Sequence, residues 1–254
     1  MTTSAQVTGA GRGTAERLNV VELRQYTLRA GRRDELLELF DRAFVETQEE
    51  VGMAVLGQFR DHDDPDRFVW LRGFPDMAVR QRALTAFYDG PVWAANREQA
   101  NSTMVDSSDV RLLRPYPADE GFPVPSAARP PVDSPDPDRL VVVTMWFLPS
   151  APQEGIDLIR DGLVTVMGET GPAPLAMLVT ETATNTFPRL PVRTGENVAV
   201  VVTSYPDANA HRHHAAEVHA HPTARHDLLP KLTRIQSRAP QSIRLRPTGR
   251  SLIR

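Results

Sequence analysis

The chain has 254 residues, 41% of them hydrophobic and 24% charged, with a net charge of −3; that is ordinary globular composition, long enough to bury a core. The absence of cysteine excludes a disulfide framework, a thiolate zinc site and a cysteine nucleophile. No run of about 18 apolar residues offers a membrane span, and no Lys/Arg stripe interleaved with aromatics offers a nucleic-acid surface.

Residues 1–17 are rich in Thr, Ser, Gly and Ala and lack an apolar segment, so they read as a disordered leader and not as a signal peptide. A cytoplasmic setting is expected. From Leu18 to Arg29 the chain alternates: Val21, Leu23 and Gln25 fall on one face of a strand, Glu22, Arg24 and Tyr26 on the other. After Ala30-Gly31, helical spacing of Leu36, Leu37, Phe40 and Phe44 predicts a helix that Gly52 ends. Apolar runs at 53–60 and 67–75 flank the Asp/Pro-rich turn Asp61–Asp66 and predict a hairpin. Pro75-Asp76 opens a helical stretch carrying Met77, Leu84, Phe87 and Tyr88; a further helix runs from Val92 to about Met104, and a short strand at 110–115 closes the unit. The order is β-α-β-β-α-β.

Residues 117–138 hold many prolines and no periodic apolar pattern, which predicts an extended, semi-rigid linker. The same element order then returns over 139–248. The two halves, 18–116 and 139–248, can be laid on each other: Leu36 and Leu39 fall on Ile156 and Ile159, Phe74-Pro75-Asp76 on Tyr205-Pro206-Asp207, and Arg114-Pro115 on Arg246-Pro247. Shared order and shared landmarks point to a tandem duplication. One such unit has helices on one sheet face only, so its other face must be covered; two units facing each other would close a barrel with helices outside.

The segments VELRQYTLRAGRRDELLELF, VLGQFRDHDDPDRFVWLRGFPDM and AFYDGPVWAANREQANSTMVDS resemble the NIPSNAP family of the dimeric α+β barrel superfamily. The likeness spans nearly all of the first half; the second half keeps the element order and few of the side chains. The resemblance implies an α+β fold of two tandem ferredoxin-like halves forming an intrachain barrel of the dimeric α+β type. For activity it implies only a range, because the wider superfamily includes cofactor-free monooxygenases of phenolic or quinol-like substrates, lactone isomerases, polyketide cyclases and some haem enzymes. Function has to be argued from the site.

The first half carries Glu22, Arg24 and Tyr26 where the second has Val142, Thr144 and Trp146, and Arg72 where the second has Thr203. A charge among apolar strand neighbours is costly unless paired. Arg72 therefore needs a carboxylate, either Glu22 as a structural partner or an anionic ligand. Tyr26 and Trp70 read as core aromatics or as pocket walls, with Tyr26 able to donate to a developing oxyanion. Trp93 and Met104 lie near one face of the following helix with Asn101 beside it, and all three are candidate substrate-binding residues beside Trp70. The catalytic candidates are thus Glu22, Arg24, Tyr26 and Arg72, with the second half as structural wall.

His62 in its Asp-rich turn reads as solvated. The histidines at 211, 213, 214, 219, 221 and 226 lack the H-E-x-x-H pattern, and Pro222 disfavours helix at His221, so no metal is expected. Nucleotide and serine-hydrolase motifs are absent, and no cofactor is expected. Two functions stay open: a cofactor-free oxygenase-like or isomerase/cyclase-like enzyme acting on a planar anionic small molecule, and a binding or interaction scaffold. The chain could also pair with a second copy through other faces.

Overall fold

A computed structural model describes residues 17–122 and 128–254. The expected leader lies outside the described residues except for Arg17, as do residues 123–127 of the expected linker. The first half forms β1 (Val20–Leu28), α1 (33–50), β2 (Ala54–Asp61), β3 (Arg67–Phe74), α2 (Met77–Tyr88), α3 (Pro91–Thr103) and β4 (Met104–Pro115). The second forms β5 (Leu140–Leu148), α4 (153–170), β6 (Ala176–Thr180), β7 (Asn197–Tyr205), α5 (Ala208–Ala220), α6 (224–235) and β8 (Arg238–Pro247).

The eight strands close a barrel in the order β1-β3-β2-β8-β5-β7-β6-β4, antiparallel throughout. Within each half the order is fourth-first-third-second, and the halves join edge to edge through β2–β8 and β4–β6. The closing seams are short. Phe59 to Asp61 pair with Pro247 to Leu245, and Leu113 to Pro115 with Thr180 to Leu178. Closure removes the open strand edges that would otherwise template aggregation.

The halves share local devices. Asp76 caps α2 by accepting from the Val79 amide at 2.7 Å, and Asp207 caps α5 by accepting from the Ala210 amide at 2.8 Å. The Pro-Asp landmarks of the sequence are therefore helix starts. α1 and α4 each widen to a π-helical stretch, Phe40–Phe44 and Leu158–Val164. The hairpin strands fall within a residue of expectation. β4 begins at Met104 and not at 110, because its first residues pair along β1 through two register shifts.

The barrel interior is filled. Val21, Leu23, Phe59, Val69, Leu71, Val143, Met145, Val200, Val202 and Leu245 meet there in one cluster, each at most 1% exposed. Cavities therefore lie outside the sheet, under the helices. Among the described residues no helix is long and apolar enough to cross a membrane.

The described part of the linker is a strap tied down along its length. Arg129 donates to the carbonyls of Arg250 (2.8 Å) and Val55 (2.5 Å), and the Asp136 carboxylate accepts from the Gly249 amide at 2.8 Å. A Cβ on Gly249 would stand 1.8 Å from the Ser134 carbonyl oxygen, and no rotamer relieves a clash with backbone. Gly249→Ala is expected to lower stability in urea unfolding by about 1–3 kcal/mol; a strap merely resting on the surface would show almost no loss.

Candidate functional site

Strand alternation sets the site. Val21 and Leu23 on β1 and Val69 and Leu71 on β3 point into the barrel, so Glu22, Arg24, Tyr26, Trp70 and Arg72 point out toward the helices. The β1–β3 register puts Glu22 opposite Arg72 and Arg24 opposite Trp70. α1 adds Gln48 and α2 adds Arg80.

Glu22 receives three guanidinium groups. Arg24 Nη1 donates to Oε2 at 2.6 Å, Arg72 Nε to Oε2 at 2.8 Å, and Arg80 Nε to Oε1 at 2.7 Å. None of the four side chains is more than 1% exposed. The remaining partners are neutral. Arg24 Nε donates to the Tyr26 hydroxyl at 2.9 Å, Arg72 Nη1 to Gln48 Oε1 at 3.2 Å, and Arg80 Nη1 to Asn185 Oδ1 at 3.0 Å. Three positive groups thus share one carboxylate, which leaves two buried positive charges unmatched. The Trp70 ring softens this, with the Arg72 guanidinium 5.0 Å and that of Arg24 5.5 Å from its centre.

Burial alone would raise the Glu22 carboxyl, but Arg72, Arg24 and Arg80 outweigh it and hold the group far below the usual carboxylate range. Burial lowers the Arg80 guanidinium; Glu22 opposes that, and Arg72 and Arg24 add to it. Burial also raises the Tyr26 phenol against the pull of Arg24, so Tyr26 keeps its proton at neutral pH. Its oxygen accepts from Arg24, which leaves the O–H free to donate.

Tyr26 is part of the wall of a cavity of about 40 Å³ between the sheet and α1, α2 and α3, shared with Gln48, Trp70, Tyr88, Trp93 and Met104. Gln48 and Tyr26 connect the cavity directly to Arg72 and Arg24. That volume holds about two waters, and Tyr88, Trp93 and Met104 in its wall are half-buried. A longer groove of about 580 Å³ runs between α1 and the strap, but it shares no residue with this cluster, and its Arg60 is paired with Asp34 and Asp136.

The second half supplies the cap. Its loop 181–196 crosses to the first half, where Asn185 and Thr186 accept from Arg80, Phe187 is buried in the first-half core, and the Arg193 amide donates to the Val110 carbonyl at 2.8 Å. The second half is thus more than the wall expected of it. Of the sequence candidates, Tyr26, Trp70, Trp93 and Met104 line the cavity, and Glu22, Arg24 and Arg72 form the charged cluster beside it. Asn101 does not join them; it lies exposed on α3. Glu22 is poorly suited to moving a proton, since both oxygens are held by arginines and its acidity is high; it positions the guanidiniums. Arg80 escaped the sequence reading although its spacing marks it: 80, 83, 84 and 87 form the buried stripe of α2. Among the described residues no three His, Asp or Glu are grouped to hold a metal ion, and α5 ends before His221, whose backbone is no longer helical.

The closed antiparallel barrel with outer helices is an α+β barrel fold shared with several solved structures. It aligns with a candidate monooxygenase from Fusobacterium nucleatum (TM-score 0.57, 8% identity, 91% of this chain and 93% of that one). A candidate monooxygenase from Lactobacillus acidophilus aligns similarly (TM-score 0.55, 11% identity, 91% and 94%). So does an anthrone oxidase-like protein (TM-score 0.56, 14% identity, 92% and 93%). At these identities the likeness is one of fold. Residues 21–118 match the NIPSNAP family model. No curated protein matches the sequence.

Glu22→Gln would leave three buried guanidiniums without a countercharge and is expected to cost about 3–5 kcal/mol in urea unfolding at pH 7. The folded carboxyl lies below its ordinary value of 4.5, so its contribution is fully present above that pH and is lost as pH falls through the depressed folded value. The variant should therefore lose less stability than the parent chain on acidification below pH 4.5.

Proposed function

We propose that the first half is a small-molecule site that stabilises negative charge on a planar aromatic or enolisable ligand, and that the chain acts on such a molecule by oxygenase-like, isomerase-like or cyclase-like chemistry. In this reading the chain is two tandem ferredoxin-like units, 18–116 and 139–248, with the reacting centre in the first. One observation carries it: three buried arginines share a single glutamate beside a tyrosine whose hydroxyl is free to donate. A purely structural ion pair needs no such surplus, and a surplus of buried positive charge is relieved by an anion.

Each residue then has a task. Tyr26 donates to the ligand oxygen on which charge develops. Arg24, behind it, stabilises the resulting enolate or phenolate through the tyrosine oxygen, and Arg72 and Arg80 deepen the positive potential. Trp70 and Trp93 hold a flat ring system. No carboxylate or imidazole lines the cavity, so the substrate must be acidic enough to release its proton to water, as phenols, anthrones and β-dicarbonyls are. For a methylene flanked by aromatic rings, the oxygenation balances with dioxygen as the oxidant and the substrate supplying all the electrons. Both C–H bonds of the methylene and the O–O bond break; one oxygen atom becomes the ketone carbonyl, and the other leaves as water with the two hydrogens. The anthrone oxidase-like protein of similar fold is in keeping with that chemistry. The scaffold reading is favoured by the small closed cavity and by the pairing of all three arginines to Glu22.

The two readings part on a titration with 3-hydroxy-2-naphthoate followed by thermal unfolding. Binding should raise the melting temperature, and Tyr26→Phe, which removes one hydroxyl, should weaken affinity at least about tenfold, near 1.4 kcal/mol. If neither that ligand nor an anthrone stabilises the protein while Arg24→Met and Arg72→Met each lose several kcal/mol, the cluster is structural and the enzyme reading fails.

A further inference from the structure

The second half repeats the cleft between sheet and helices with opposite chemistry. Val142, Thr144 and Trp146 on β5 and Thr203 on β7 point outward at the positions that Glu22, Arg24, Tyr26 and Arg72 hold in the first half. They wall a cavity of about 230 Å³ under α5, several times the volume of its first-half counterpart. No Asp, Glu, Arg or Lys lines it.

Its polar groups form a defined set. The Tyr205 hydroxyl lies 3.0 Å from His214 Nδ1, and His214 Nε2 lies 2.9 Å from the Met167 carbonyl oxygen. A carbonyl only accepts, so Nε2 carries the proton and Nδ1 accepts from Tyr205. Tyr205 thus donates a hydrogen bond to His214. His211 stands against the Tyr205 ring at 5.1 Å between centres, and its Nδ1 is buried without a partner. Burial, then Arg244 and His214, push His211 below its ordinary value, so it is neutral at pH 7 and Nδ1 can accept. Arg244 itself is engaged by Asp63. A buried acceptor without a donor is costly, and a ligand hydroxyl would relieve it.

We propose that this cavity is a second small-molecule site, selective for an uncharged bicyclic aromatic whose hydroxyl donates to His211 Nδ1 while its rings lie against Trp146. No Asp, Glu, Arg or Lys lines the cavity to give an anion a fixed countercharge, so an anion would lose its hydration without that compensation. The volume is below the range of about 300–1,000 Å³ usual for drug-sized ligands, which limits the occupant to two fused rings.

The test is calorimetric titration of the full chain with 2-naphthol and with naphthalene-2-carboxylate. The expected result is one saturable site for 2-naphthol and binding of the carboxylate there at least about tenfold weaker. Ala215 lines the cavity from an exposed position on α5, so Ala215→Phe should fill the space and weaken 2-naphthol at least about tenfold with the fold intact. His211→Leu removes the acceptor together with the ring that stands against Tyr205 and should weaken it by about threefold or more. Tyr26→Phe, in the other half, should change it by less than about twofold. Absence of saturable heat with 2-naphthol, indifference to Ala215→Phe and His211→Leu, or loss of binding in Tyr26→Phe would each overturn the proposal. None of those outcomes bears on whether 3-hydroxy-2-naphthoate binds the first half.

Discussion

Glu22 is the group on which the first half turns. It is fully buried on β1, and three arginines from three different elements converge on its two oxygens. Through those contacts one carboxylate ties β1 to β3 and to α2, and through Arg80 it reaches Asn185 in the second half's loop. Removing a charge from water is expensive, and a single carboxylate does not compensate three guanidiniums. The imbalance lies beside the aromatic-lined cavity of this half and behind a tyrosine that retains its proton. The same electrostatics ties these elements together and, in the proposed reading, favours negative charge on a ligand beside Tyr26.

The filled barrel interior pushes any ligand to the outer face of the sheet. The two halves supply two such faces, and the side chains that alternate outward decide what each can hold. In the first half these are charged and the space is tight. In the second they are Val142, Thr144, Trp146 and Thr203, and the space is larger and lined by no Asp, Glu, Arg or Lys. The halves are not independent, however, because loop 181–196 buries Phe187 in the first-half core. The second half completes the first-half site as well as offering a cleft of its own.

Much of this was legible in the chain because it depends on local periodicity. Alternation along β1 separated Glu22, Arg24 and Tyr26 from Val21 and Leu23, and the cost of a lone charge in an apolar strand singled out Arg72. Pro-Asp marked two capped helix starts. Other features were not legible because they depend on long-range geometry. Nothing local says that loop 181–196 would cross to the other half, or that the uncharged second-half cleft would be the roomier one. Asn101, expected beside the face that carries Ala100, is exposed, because one residue along a helix turns a side chain by about 100°. Arg80 could have been found from its place in the apolar stripe of α2, but a charge on a helix is ordinarily read as a solvated face.

The most direct measurement is the ionisation of a bound chromogenic phenol such as 4-nitro-1-naphthol, followed by visible absorbance across pH in Ala215→Phe protein, in which the second-half cleft is filled. If two buried positive charges stand unmatched beside Tyr26, the bound phenol ionises at lower pH than the free one by more than about one unit, and Arg24→Met abolishes the shift. A bound phenol that ionises at its free value or higher would contradict the claim that the cluster stabilises an anion.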